Sequence, residues 1–204
     1  MVFISQEPTV CVVEDFLEAT QCAALIECAR PLVRASGTAF GGARAAQNVR
    51  TSSTVLLKRD RNEVAPLQER TARLLRKPVE HCEDPQVSRY LNGEFYLAHY
   101  DGPDVDEPTA RPFLLCGGQR LATVLVYLNE VASGGATRFP LLNLEVQPKA
   151  GRALVFFPGR LDGTIDHSLV HEACPAIDTK WVAQIWVRHG IDLHGSFMRT
   201  VESR

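Results

Sequence analysis

The sequence predicts a mainly β protein, a barrel or jelly roll with flanking helices packed on its outside. Three observations carry this. Two stretches in the first eighty residues have the 3.6-residue spacing of amphipathic helices, and from residue 86 the spacing changes to the two-residue alternation of strands. Turn residues then recur at short intervals, as in antiparallel sheets. The 204 residues fit one domain, 1–204, with a helical N-terminal part at about 10–80 and a β core at about 86–190.

In "TQCAALIECARPLVR" (20–34), Cys22, Leu25, Ile26 and Ala29 share one helical face, with Thr20 available as the N-cap. "EVAPLQERTARLLR" (63–76) repeats that pattern through Val64, Leu67, Thr71, Leu74 and Leu75, leaving Arg70, Arg73 and Arg76 on the solvated side. Strands are expected at 86–91, 94–101, 121–128, 144–147, 153–157, 168–173 and 180–188. The long loop 102–119 contains three prolines and is expected to be a lid or binding segment, with 36–52 the other lid candidate.

A formal charge of −2 and a pI near 6.3 provide no field for gathering phosphates, which argues against nucleic acid as a partner. The opening "MVFISQEPTVCVVEDF" lacks the basic start and apolar run of a secretory signal, and no eighteen-residue apolar stretch suggests a membrane span. Six cysteines form no C-x-x-C pair and read as reduced thiols, so a cytoplasmic location is expected.

The chemistry gathers around "LNGEFYLAHYDG" (91–102). Asn92-Gly93 is the preferred pair for a two-residue type I′ hairpin, which sets Leu91 across from Glu94 and Tyr90 across from Phe95. Alternation then turns Phe95, Leu97, His99 and Asp101 to one face and Tyr96 to the other. An ionised Asp101 buried without a counter-charge would cost several kcal/mol, and a divalent cation would supply that charge. In "KWVAQIWVR" (180–188), Trp181, Ala183, Ile185 and Val187 form an apolar face suited to the helices. Lys180, Val182, Gln184, Trp186 and Arg188 take the opposite face, where a lysine wants an anion. "TIDHSLVHEACP" offers His167 and His171 as a third nitrogen donor, while His81, His189 and His194 read as surface residues. Two histidines and one carboxylate are the facial triad of non-haem Fe(II) oxygenases.

At this point the sequence resembles the Fe(II)- and 2-oxoglutarate-dependent oxygenases of the prolyl 4-hydroxylase type, over residues 10 to 188. "VCVVEDFLEATQCAALI" is similar to the family's N-terminal strand and helix entry, and "RTSSTVLL" to its loop before the first core strands. "RYLNGEFYLAHYD" is similar to the family pattern R-Y-x-x-G-Q-x-Y-x-x-H-x-D, with Glu94 in place of glutamine. "RLATVLVYLNE", "GGATRFP", "VQPKAGRALVFF", "HEACP" and "KWVAQIW" follow in the family's order.

The resemblance implies a double-stranded β-helix (jelly-roll or cupin-like) core and His99, Asp101 and His171 as metal ligands. His171 is chosen over His167 because the family ligand is followed by x-x-C-P. It implies Lys180, Tyr90 and Thr137 around the distal carboxylate of 2-oxoglutarate, and Arg120, Trp186 and Tyr96 in the substrate channel. "PAIDTKW" is one residue shorter than the usual spacing between the distal histidine and the lysine. The cofactors implied are Fe(II), 2-oxoglutarate as co-substrate and O2, with ascorbate as an accessory reductant. The activity implied is hydroxylation of an unactivated C–H bond, first of a prolyl residue in a peptide or protein. Alternatives are a free amino acid or small biosynthetic intermediate as substrate, and, from another class, a non-catalytic metal-binding module. Oligomeric state has no signature in the sequence.

Overall fold

The computed structural model describes residues 1–37, 48–107 and 110–193. Strands β1 (Val2–Ser5) and β2 (Val10–Val13) lead into helix α1 (Ala19–Ala29). Glu18 rather than Thr20 is its N-cap, with the Glu18 N–H donating to Gln21 Oε1 at 3.0 Å. Pro31 has no N–H with which to extend the ladder, so the helix stops short of residue 34. Strands β3 (Arg34–Ala35) and β4 (Ser53–Leu56) follow, then helix α2 (Ala65–Leu75), which opens with Pro66 in its first turn and ends on left-handed Arg76. The part at about 10–80 is therefore not purely helical: among its described residues β2, β3 and β4 are strands. Strands of two to four residues carry too little apolar alternation to be read from composition.

The remaining elements are β5 (Gln86–Tyr90), β6 (Tyr96–His99), α3 (Ala110–Leu115), β7 (Arg120–Tyr127), β8 (Thr137–Phe139), β9 (Leu144–Val146), β10 (Ala153–Phe156), β11 (His171–Ala173) and β12 (Lys180–Arg188). They form two antiparallel sheets. The larger has the order β1-β2-β10-β7-β12-β5-β4-β3 and the smaller β6-β11-β8-β9. Tyr90, Leu125, Tyr127, Leu154, Phe156 and Val182 on the large sheet pack against Phe139, Val146 and Leu169 to form the core between the layers. Trp181, Ala183, Ile185, Val187, Val124 and Val126 point the other way, onto Leu25, Leu67 and neighbouring helix residues. The double-stranded jelly-roll expectation, with helices packed outside, holds.

The hairpin expectation does not. β5 pairs with β12 and β4, whereas β6 pairs with β11, so the chain crosses from one sheet to the other at residues 91–95. Gly93 has φ +79° but Asn92 keeps a negative φ, and the Glu94 N–H donates to the Leu91 carbonyl at 2.9 Å. A type I′ turn needs both central residues at positive φ; a single one at the second position suits a type II bend, which splays strands apart.

A second tight approach ties the helical layer to the large sheet. Gly151, at φ +76°, accepts at its carbonyl from the N–H groups of Phe16 and Leu17 at 2.8 and 3.1 Å. A β-carbon there would lie 2.4 Å from the Leu17 carbonyl oxygen. Gly151→Ala is expected to destabilise the fold by about 1–3 kcal/mol, read as a lower denaturant midpoint with an unchanged slope.

Candidate active site

β6 and β11 lie side by side with His99 directly opposite His171, their rings 4.4 Å apart between centroids. Asp101 leaves the end of β6 and turns back beneath them, with one carboxylate oxygen 3.7 Å from His171 Nε2. One donor atom from each of the three side chains falls within 4.8 Å of the others, the one such cluster among the described residues. The Nδ1 of each histidine lies on a carbonyl two residues back, Leu97 at 2.8 Å and Leu169 at 3.0 Å, so both Nε2 atoms are left to the site. Burial, reinforced by His171, pushes His99 down to about 3, which keeps its imidazole neutral at physiological pH.

Burial alone would raise the Asp101 carboxyl; His171, His99, Arg120 and the Thr123 hydroxyl outweigh it and hold the group below its ordinary value. Thr123 Oγ1, on β7, donates to Asp101 Oδ2 at 2.6 Å. This donor set of two imidazoles and one carboxylate, facing a common point, fits Fe(II) with coordination positions left open. Thr123→Val is expected to weaken Fe(II) affinity by about 10–100-fold without changing the fold, measured by metal titration.

Tyr96 departs from the alternation expected for it. Across β11, Ala173 pairs with Tyr96 while His171 pairs with His99, so three residue steps on β6 match two on its neighbour. That bulge brings Tyr96 onto the face of His99, and the two rings stack 3.6 Å apart. It also leaves Leu97, expected on the inner face, 46% exposed. The outer edge of β6 is covered by residues 49–51, with Leu97 N–H to the Val49 carbonyl at 2.8 Å, and the Arg50 guanidinium lies over the Tyr96 ring at 4.6 Å.

Arg120 is anchored by Glu83 through two bonds of 2.6 Å and donates to the Asp101 carbonyl at 2.9 Å, its guanidinium 3.6 Å from the Trp186 ring centroid. Arg120 and Trp186 therefore sit beside the donor cluster. Lys180 is 1% exposed, donates to the Gly135 carbonyl at 2.7 Å and lies 4.4 Å from the centroid of Tyr90, its partner across β5. Among the described residues no carboxylate pairs with it, and burial pushes its ammonium down to about 8. Thr137 is buried and accepts from Tyr127 Oη at 2.8 Å. The shorter spacing before Lys180 thus leaves the lysine inside the sandwich.

His167 is not in the cluster: it pairs with Asp104 at 3.1 Å, its side chain 60% exposed. His189 is exposed, whereas His81 is half-buried against the Arg188 carbonyl, a correction to its surface reading. His194 and most of the 36–52 lid candidate lie outside the described residues. Sequence reasoning missed Thr123, Glu83, Tyr127 and Arg50. Thr123 and Tyr127 had a signal, since alternation along β7 sets both on the inner face with Leu125.

Comparison with known proteins agrees with this geometry. A model of the 2OG-Fe(II) oxygenase superfamily matches residues 85–188. The chain is 36% identical over 208 residues to probable prolyl 4-hydroxylase 10 of Arabidopsis thaliana, covering 91% of this chain and 70% of that protein. It is 36% identical over 144 residues to a putative prolyl 4-hydroxylase of Acanthamoeba polyphaga mimivirus, covering 70% and 60% of the two. Among solved structures, viral collagen prolyl hydroxylase of Paramecium Bursaria Chlorella virus-1, in complex with 2OG, superposes with a TM-score of 0.69 at 27% identity, covering 88% of this chain and 95% of that one. The chain belongs to the 2OG-Fe(II) oxygenase superfamily, in its prolyl 4-hydroxylase-like branch, and is a dioxygenase of the hydroxylase type.

Proposed function

We propose that this enzyme hydroxylates a prolyl residue of a peptide or protein, with Fe(II) held by His99, Asp101 and His171. The supporting observation is the meeting of those three donors in one sandwich with Lys180, a buried cation with no paired carboxylate among the described residues. When bound, Fe(II) and 2-oxoglutarate supply oxidative decarboxylation to succinate and CO2, one atom of O2 entering the substrate C–H bond and the other the succinate. The protein's own residues do the rest. Lys180 takes the distal carboxylate of 2-oxoglutarate, with the Tyr90 and Thr137 hydroxyls as hydrogen-bonding neighbours. Arg120, Trp186 and Tyr96 wall the substrate side and keep water from the reacting atoms. The family members named above are prolyl hydroxylases, which favours this substrate class.

The test is incubation of wild type with Fe(II), 2-oxoglutarate and a panel of proline-containing peptides and free amino acids. A +16 Da peptide product matched by succinate is expected; hydroxylation of a free amino acid with no peptide product would move the substrate to the small-molecule class. Ascorbate is proposed as the reductant that returns oxidised iron to Fe(II), tested by whether it extends the number of turnovers. A reducing, cytoplasmic setting is also proposed, supported by six free cysteines.

A further inference from the structure

Lys180 accounts for one end of β12; a second buried cluster occupies the other. Eight residue steps, roughly 26 Å at strand rise, separate Lys180 from Arg188. Arg188 is 1% exposed, the largest fully buried side chain among the described residues. Its Nε lies 2.8 Å from Glu83 Oε1 and 3.6 Å from Asp192 Oδ1. Its Nη1 donates to the carbonyls of Phe113 and Gly118 at 3.1 and 2.8 Å, and the guanidinium lies 4.1 Å from the Phe113 ring centroid. One planar group thus joins the carboxylate that grips Arg120 to the loop segment 110–118.

We infer that Arg188 is a positioning residue for the substrate: it fixes Arg120 and the 110–118 wall at the mouth of the site without touching the reacting atoms. Glu83 accepts both bonds from Arg120 and forms an ion pair with Arg188, and losing that second guanidinium frees its carboxylate to rotate off Arg120. Lysine at 188 keeps the charge, but a single ammonium cannot match the fork that spans Glu83 and both loop carbonyls. The same contacts make the second half of the 102–119 loop a fixed wall rather than a lid.

This inference rests on the peptide hydroxylase reading, and the experiment separates the two. Arg188→Met and Arg188→Lys are compared with wild type on the same proline-containing peptide. The peptide KM is expected to rise about ten-fold or more in Arg188→Met and by less in Arg188→Lys. The KM for 2-oxoglutarate stays within about two-fold, because its anchor lies at the far end of the strand. Without any substrate, amides in 110–118 exchange hydrogen about ten-fold faster in both variants. An unchanged peptide KM, or a 2-oxoglutarate KM that rises in step with it, overturns the inference. If Arg188→Met does not fold, the same readouts on Arg188→Lys decide the matter. If wild type hydroxylates no peptide, the substrate reading alone fails, and unchanged exchange at 110–118 then overturns the role of Arg188.

Discussion

Asp101→Asn is expected to reduce succinate formation by about 1,000-fold or more, equivalent to roughly 4 kcal/mol of lost transition-state stabilisation. The amide retains an oxygen that can accept from Thr123 Oγ1, now at 2.6 Å, so the local packing survives. What disappears is the negative charge of the only carboxylate in a donor set otherwise made of two imidazoles. Fe(II) affinity falls with it, and the metal-free protein also loses the stability that the lowered carboxyl contributes at neutral pH, read as a lower unfolding temperature. Retention of more than about a tenth of wild-type turnover would show that the carboxylate is not a ligand.

Lys180→Met is expected to separate stability from function. The buried ammonium has its pKa lowered from 10.5 to about 8, so holding it charged at neutral pH costs the fold roughly 3 kcal/mol. Methionine fills similar space without that cost, and the variant is expected to unfold at higher temperature. Its KM for 2-oxoglutarate should rise by about 100-fold or more, the loss typical of truncating one partner of a buried charge pair. The signs against pH are opposite for the two quantities. Between about 8 and 10.5 the unfolded lysine holds a proton that the folded one has shed, so wild-type stability rises with pH there, and the methionine variant lacks that rise. Over the same window wild-type 2-oxoglutarate affinity falls, since an unprotonated amine cannot pair with a carboxylate. A methionine variant whose co-substrate KM is unchanged would remove Lys180 from the binding scheme.

Much of this site was legible because β12 is long and two-faced. Nine residues of strict alternation assigned Lys180 and Trp186 to the interior and Trp181, Ala183, Ile185 and Val187 to the helices. His171 was separable from His167 only by resemblance, since both lie in one short segment; in the structure a 3-10 turn at 167–169 leaves His167 outside while β11 carries His171 inward. Tyr96 could not be placed by alternation because a one-residue bulge resets the period and leaves no mark in a four-residue strand. Asn92-Gly93 misled for a related reason: the dipeptide reports a bend, not whether the flanking strands pair with each other. Glu83 carries no local signal at all. Its role comes from Arg120 and Arg188, distant in sequence and adjacent only after β7 and β12 pair.

The bend at 91–95 makes the two layers of the sandwich parts of one short covalent strap. Tyr90, at its start, lies under the buried ammonium; His99, a few residues beyond its end, belongs to the donor cluster. The gap between the buried ammonium and the donors is thereby gauged by a handful of peptide units instead of by the splay of two independent sheets. An inserted residue in this strap would change that gauge directly, whereas comparable insertions at the far rims would leave it untouched.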